Sequence, residues 1–241
     1  MDPNLVLRTP TRLQAVDAAP ASAQNEWTAG YFKIKQLDLN LENLMASTLM
    51  AANTVKMRYP EDSVDSNGFK GTTKTFEKYN IFMFSAQPLW ELFKEISTFW
   101  QSTRKSDKIH YMQAWINIYE EGAESIGWHH HWPEHMQAWH GYFCLDVDVS
   151  KTTYALQPHY YKQSRDVADQ YQGVLEHNDE YELIDVVGRN NMLVMGLSSN
   201  DLHRNIPWKI KDRSRITIAF DIVPGEFIDN RVWENHWIPL L

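Results

Sequence analysis

At 241 residues, with 43% hydrophobic and 13% aromatic side chains, the chain has the composition of a folded protein with a sizeable core rather than of a disordered one. A net charge of −8 argues against a nucleic-acid backbone as partner, and no Lys/Arg cluster interleaved with aromatics offsets it. No apolar run approaches the ~20 residues that cross a bilayer, and Met1-Asp2-Pro3-Asn4 opens no basic and apolar leader, so the expectation is a soluble, cytoplasmic protein without a membrane partner.

Residues 1–27 read as an arm, because Thr9-Pro10, Ala19-Pro20 and Ala21-Ser22-Ala23 carry no sustained period. Leu37, Leu39, Leu41, Leu44, Met45, Leu49 and Met50 give helical spacing over roughly 41–56, with Asn40 as the cap. A polar loop over 60–68 and a short strand over 79–84 follow. Pro88 then opens a second helix, in which Leu89, Phe93, Ile96, Phe99 and Trp100 repeat at three and four residues. From His110 the period shortens. Strands are predicted over 111–119, 142–149, 152–156, 181–187, 192–196 and 216–222, and 163–180 reads as a polar loop or short helix. Cys144, the sole cysteine, lies in an apolar run and reads as a small buried hydrophobe. Many short strands after two helices predict a mainly β fold with supporting helices, a jelly-roll or barrel core. The expected organisation is one domain over 28–241, with helical support at 28–109, a barrel at 110–223 and an extension at 224–241 that either covers the barrel or makes a homodimer contact.

Five histidines crowd into residues 129–140. On a strand, His129 and His131 share a face and His130 lies on the other, so the first two can grip one metal ion. A third ligand must come from elsewhere. Among the distant histidines, His203 has the most suggestive context, following the apolar run Met192-Leu193-Val194-Met195-Gly196 and a Ser198-Ser199-Asn200-Asp201 turn. Twelve positions on stands Arg215, two residues before Thr217 on the same strand face. A guanidinium on an inward face needs an anion, and its planar fork suits a carboxylate. The plainer alternative is a salt bridge from Arg215 to Asp212 or Asp221, with Arg213 as the rival anion binder.

Asn117-Ile118-Tyr119, Gly122, His129-His130-His131, His203 and Arg215-Ile216-Thr217, in that order, resemble the iron(II)- and 2-oxoglutarate-dependent oxygenases, most nearly their prolyl-hydroxylase-like and phage-type members. The resemblance covers about 110–223. It implies a double-stranded β-helix, cupin-like in its jelly roll, and an enzyme that uses Fe(II), 2-oxoglutarate and O2 to hydroxylate a C–H bond. It further implies that His129, His131 and His203 hold iron, that Arg215, Thr217 and Tyr119 bind the distal carboxylate of 2-oxoglutarate, and that Asn117 contacts its other end. The substrate implied is a protein or peptide side chain in preference to a small molecule. The phage-type likeness leaves a phage-encoded origin open.

The family's usual second ligand is Asp or Glu, and here the position is His131. Glu134, three residues on, is the alternative ligand. His129-x-His131 with Glu134 and Gly141 also comes near the first motif of the cupins, whose three-histidine sites oxidise small molecules without a keto-acid; cupins do not require Arg215-Ile216-Thr217. A third reading is a non-enzymatic jelly-roll module whose Trp128, Trp132 and Trp139 pack or bind sugars. On all of them His130, His135 and His140 are structural.

Overall fold

Two helices precede most of the strands, as the periodicity predicts. In the computed structural model, which describes residues 25–60, 76, 78–104, 108–123, 126–147, 150–228 and 236–240, short strands β1 (Glu26–Trp27) and β2 (Lys33–Gln36) come first. Helix α1 (Leu41–Arg58) begins where Asn40 accepts a hydrogen bond from the Asn43 backbone N–H at 3.1 Å, the predicted cap. Helix α2 (Gln87–Thr103) carries Pro88 in its first turn, where its missing N–H costs nothing. Leu44, Ala51 and Val55 of α1 and Leu89, Leu92, Ile96 and Phe99 of α2 are buried in one core with Phe143, Leu193, Ile218 and Phe220 of the sheet. Each large apolar side chain so buried is worth about 1.5–3 kcal/mol. The expectations for residues 1–24 and for nearly all of the 60–68 loop lie outside the described residues.

The remaining elements are β3 (His110–Tyr119), β4 (Trp139–Asp146), β5 (Lys151–Leu156), α3 (Pro158–Asp166), β6 (Leu175–Asn178), β7 (Leu183–Val187), β8 (Met192–Leu197), β9 (Asp201–Asn205), β10 (Arg215–Pro224) and β11 (Ile238–Leu240). They form a seven-stranded sheet, β1-β2-β8-β4-β10-β3-β11, and a four-stranded sheet, β6-β7-β5-β9, with every pairing antiparallel. This is the mainly β, double-stranded β-helix architecture expected, with α1 and α2 ahead of the barrel strands. β10 is buried along its whole length, so both of its faces are used. Ile216, Ile218 and Phe220 join the apolar core, while Arg215, Thr217 and Ala219 alternate with them onto the face that lines the cavity described below. No helix among the described residues is long and apolar enough to cross a membrane.

Three expectations need correction. Residues 79–84 are not a strand but a single 3-10 turn at Ile81–Met83. β3 already has β10 on one edge and β11 on the other, so no ladder is open to this segment. Asn80 instead accepts from the Phe82 N–H and donates to the carbonyls of Met112 and His236, and the Tyr79 hydroxyl accepts from the Ile116 N–H. The 163–180 segment contains the end of α3 and strand β6, because α3 begins earlier, at Pro158. The expected turn before His203 is present as a 3-10 turn at Ser198–Asn200, and His203 itself lies on a strand, β9. The histidine stretch is not a regular strand and makes one isolated bridge.

Gly141 stands between Phe220 and the Val194 carbonyl. A Cβ there would lie 2.3 Å from the Phe220 ring and 2.6 Å from that strand carbonyl. Since the carbonyl belongs to a paired backbone, Gly141→Ala is expected to destabilise the fold by about 1–3 kcal/mol, the range for overpacking, which thermal or denaturant unfolding would measure.

Candidate metal centre

After β3 the chain turns at Gly122, whose φ of +80° favours glycine, and its N–H is fixed to the Trp208 carbonyl at 3.1 Å. The segment that follows β9 and the segment leading to His129 are thereby held side by side. His129 and His203 then exchange both backbone hydrogen bonds, at 3.2 and 2.9 Å. This closely paired arrangement sets their imidazole rings 4.4 Å apart between centroids. Two residues on, His131 turns its ring to the same side, 5.4 Å from His129 and 5.3 Å from His203. A 3-10 turn at Glu134–Met136 and a left-handed Gln137 then return the chain to β4.

One ligand atom from each of His129, His131 and His203 lies within 4.8 Å of the others. The outer nitrogens of His129 and His131 have fixed partners. His129 Nδ1 lies 2.7 Å from the Gly127 carbonyl and His131 Nδ1 lies 3.2 Å from Asp221 Oδ2. A carbonyl and a carboxylate can only accept, so both Nδ1 atoms carry a proton and Nε2 is the nitrogen of each ring left to ligate. His131 Nε2 is buried with no hydrogen-bond partner, a costly arrangement in an apolar interior and the one a cation would relieve. His203 Nδ1 faces Asp201 at 3.6 Å. Burial and the neighbouring His203 hold the His129 imidazole down at about 4, so it is neutral and ready to ligate at neutral pH. For His131 burial acts the same way, but the Asp221 carboxylate outweighs it and raises the imidazole above its ordinary value. These residues fit a divalent ion bound by imidazoles, with His129 and His131 each oriented through Nδ1.

The same cavity is lined by Asn117 and Tyr119 of β3, by Arg215 and Thr217 of β10, and by Trp115, Tyr142 and Thr152. Arg215 is 4% exposed. Its Nε donates to Ser150 Oγ at 3.0 Å, its guanidinium lies over the Tyr119 ring at 5.0 Å, and its Nη1 is buried without a partner. Among the described residues it makes no ion pair: Arg213 is the one that pairs with Asp146, and Asp221 is engaged elsewhere. Asn117 Nδ2 reaches Thr217 Oγ1 at 3.5 Å, and the Tyr119 hydroxyl accepts from Asn205. Glu134, the alternative ligand, is exposed and borders a different cleft with Arg104, Gln137 and Tyr160. His130 and His135 are exposed, and Cys144 is buried, with burial pushing its thiol up to about 12.

His140, expected to be structural, is hydrogen-bonded to Asp221. It sits in β4, buried, stacked on His131 with centroids 3.6 Å apart. With His131 and Asp221 it forms a second group of potential ligands. That group is a poor metal site, because Asp221 does not line the cavity and its oxygens already accept from His131, His140 and Trp132. Asp221 is opposite His140 in the β4–β10 register and shares the face of Arg215 and Thr217, and that parity was the available signal for both.

No protein-family model matches the sequence, and no curated protein matches it. Solved structures do. A non-heme monooxygenase, ThoJ, in its nickel complex superposes with a TM-score of 0.53 at 13% identity, over 82% of this chain and 75% of that one. The protein shares their fold. AviO1 from Streptomyces viridochromogenes gives 0.51 at 12% identity, over 82% and 91% of the two chains. The epimerase SnoN, in complex with Fe3+, alpha ketoglutarate and nogalamycin RO, gives 0.50 at 12% identity, over 82% and 80%.

Proposed function

We propose that this chain is an Fe(II)- and 2-oxoglutarate-dependent oxygenase. The observation that carries the reading is the convergence of His129, His131 and His203 on one side of a cavity that also holds the buried, unpaired Nη1 of Arg215. A trihistidine donor set accounts for a metal. A desolvated guanidinium beside it accounts for a carboxylate-bearing cosubstrate, since an unpaired buried cation is costly until an anion arrives. Iron with 2-oxoglutarate would supply the oxidising power, O2 giving one atom to the substrate C–H bond as a hydroxyl and the other to succinate, with release of CO2.

In this reading the protein's own groups do the positioning. His129, His131 and His203 hold the ion from one side and leave the cavity side for the cosubstrate. Arg215 takes the distal carboxylate in its fork, Thr217 adds a hydroxyl, and Tyr119 supports the guanidinium from its ring face. Asn117 orients Thr217 and stands next to the site. Trp115 and Tyr142 exclude water from the cavity. A hydroxylated protein or peptide side chain is the preferred product, on the prolyl-hydroxylase-like motif alone.

Anaerobic addition of Fe(II) and 2-oxoglutarate should produce the weak visible charge-transfer band of a metal-bound 2-oxo acid. Absence of both the band and any 2-oxoglutarate binding would overturn the proposal. The all-histidine donor set favours one further reading, a cupin-type oxidase without keto-acid. It predicts stoichiometric iron, no band, and an activity indifferent to Arg215.

A further inference from the structure

The proposed ligand set contains no carboxylate, so an ion bound there would face three neutral imidazoles. Next to it, outside the cavity, lies a carboxylate that the ligand set does not use. Asp221 Oδ2 accepts from His131 Nδ1 at 3.2 Å and from Trp132 Nε1 at 2.9 Å, and Oδ1 accepts from His140 Nδ1 at 2.8 Å. Three N–H donors converge on a side chain that is 4% exposed. Only the ionised form satisfies all three at once, because a carboxylic acid would turn an O–H against a donor. The group is also held from two segments: it lies on β10 opposite His140, and Trp132 and His140 come from either side of the turn that carries Glu134.

We infer that Asp221 is the positioning residue of the metal centre, holding the His131 ring with Nε2 toward the ion and supplying, one imidazole away, the negative charge that a ligating carboxylate would otherwise bring. The inference rests on the metal reading above. A bond from Nδ1–H to a carboxylate makes the opposite nitrogen a stronger donor to a cation, and such outer partners are typically worth about 10- to 100-fold in metal affinity. His140 has a part in this that does not require ligation. By stacking on His131 and sharing Asp221, it fixes the carboxylate from the second oxygen and leaves Oδ2 to His131 and Trp132.

The test is a Co(II) or Fe(II) titration of the full-length protein, wild type against Asp221→Asn. Asparagine keeps the shape and one acceptor but removes the charge. Wild type should take up one equivalent, and the variant should bind about 10- to 100-fold more weakly. Its Fe(III)/Fe(II) potential should be higher, since a nearby negative charge favours the ferric ion. A folded variant with unchanged affinity and unchanged potential overturns the inference while leaving the metal reading intact. A wild-type protein that takes up no metal overturns both. A second measurement needs no variant: imidazole 15N shifts of the metal-free protein at mildly alkaline pH should show His131 protonated on Nδ1. Protonation on Nε2 would overturn the inference even if Asp221→Asn failed to fold.

Discussion

His203→Ala is expected to abolish stoichiometric metal binding while leaving the fold in place. His203 is the only one of the three proposed ligands that lies on a regular strand, and its backbone pairs with Tyr154 of β5 on one side and with His129 on the other. Those bonds survive loss of the side chain, so the variant should unfold cooperatively and the site alone should fail. The affinity loss should exceed the roughly 10- to 100-fold that removal of an outer partner costs, because a direct ligand is gone and two imidazoles remain. Isothermal titration with Fe(II) under nitrogen, or Co(II) absorption, measures it. The control is His130→Ala, an exposed neighbour on the other side of the same segment, which should bind metal as the wild type does. Equal loss in both variants would mean that the segment, not the triad, is what the metal needs.

Arg215→Ala is expected to separate cosubstrate from metal. The guanidinium is buried with one nitrogen unpaired, so its removal takes away a charge that the metal-free interior holds at a cost. Apo stability should therefore change little or rise, despite the lost bond to Ser150 and the contact with Tyr119. Binding of 2-oxoglutarate should fall steeply. Truncating one partner of a buried, hydrogen-bonded charge pair costs about 2–5 kcal/mol, equivalent to roughly 30- to 5,000-fold in affinity. In a thermal melt with Fe(II) present, added 2-oxoglutarate should raise the wild-type midpoint by mass action and leave the variant's unmoved. Arg215→Lys should recover only part of the shift, since a point ammonium cannot reproduce the fork. A variant that keeps full stabilisation by 2-oxoglutarate would assign Arg215 a purely structural role.

Much of the architecture is visible in the periodicity. The change from helical spacing in α1 and α2 to short β-branched runs after His110 corresponds to the observed order of elements, and Asn40 and Pro88 mark the helix starts because capping is a local matter. The elements that go unrecognised are those whose formation depends on a distant partner. Tyr79 to Phe84 has a strand's composition but no free ladder, since β11, far along the chain, occupies the other edge of β3. β9 is a strand because β5 pairs with it, although Asp201-Leu202-His203-Arg204-Asn205 has neither the apolar character nor the β-branching that would announce one.

The site divides along the same line. The sequence by itself determined the residue types and their order: two histidines a residue apart, a later histidine, and an arginine and threonine sharing a strand face, because side-chain parity along an extended chain is a local property. Only the tertiary structure decided which groups meet. Closure of the two sheets brings His203 against His129, leaves Glu134 at a different cleft, and denies Arg215 the Asp221 carboxylate that spacing alone offered it. It also turns His140 and Asp221 toward His131, linking residues 81 and 90 positions apart in sequence. No local pattern encodes that contact. It exists because barrel closure stacks β4 beside β10 in one particular register, and a shift by one residue would have sent Asp221 to the opposite face.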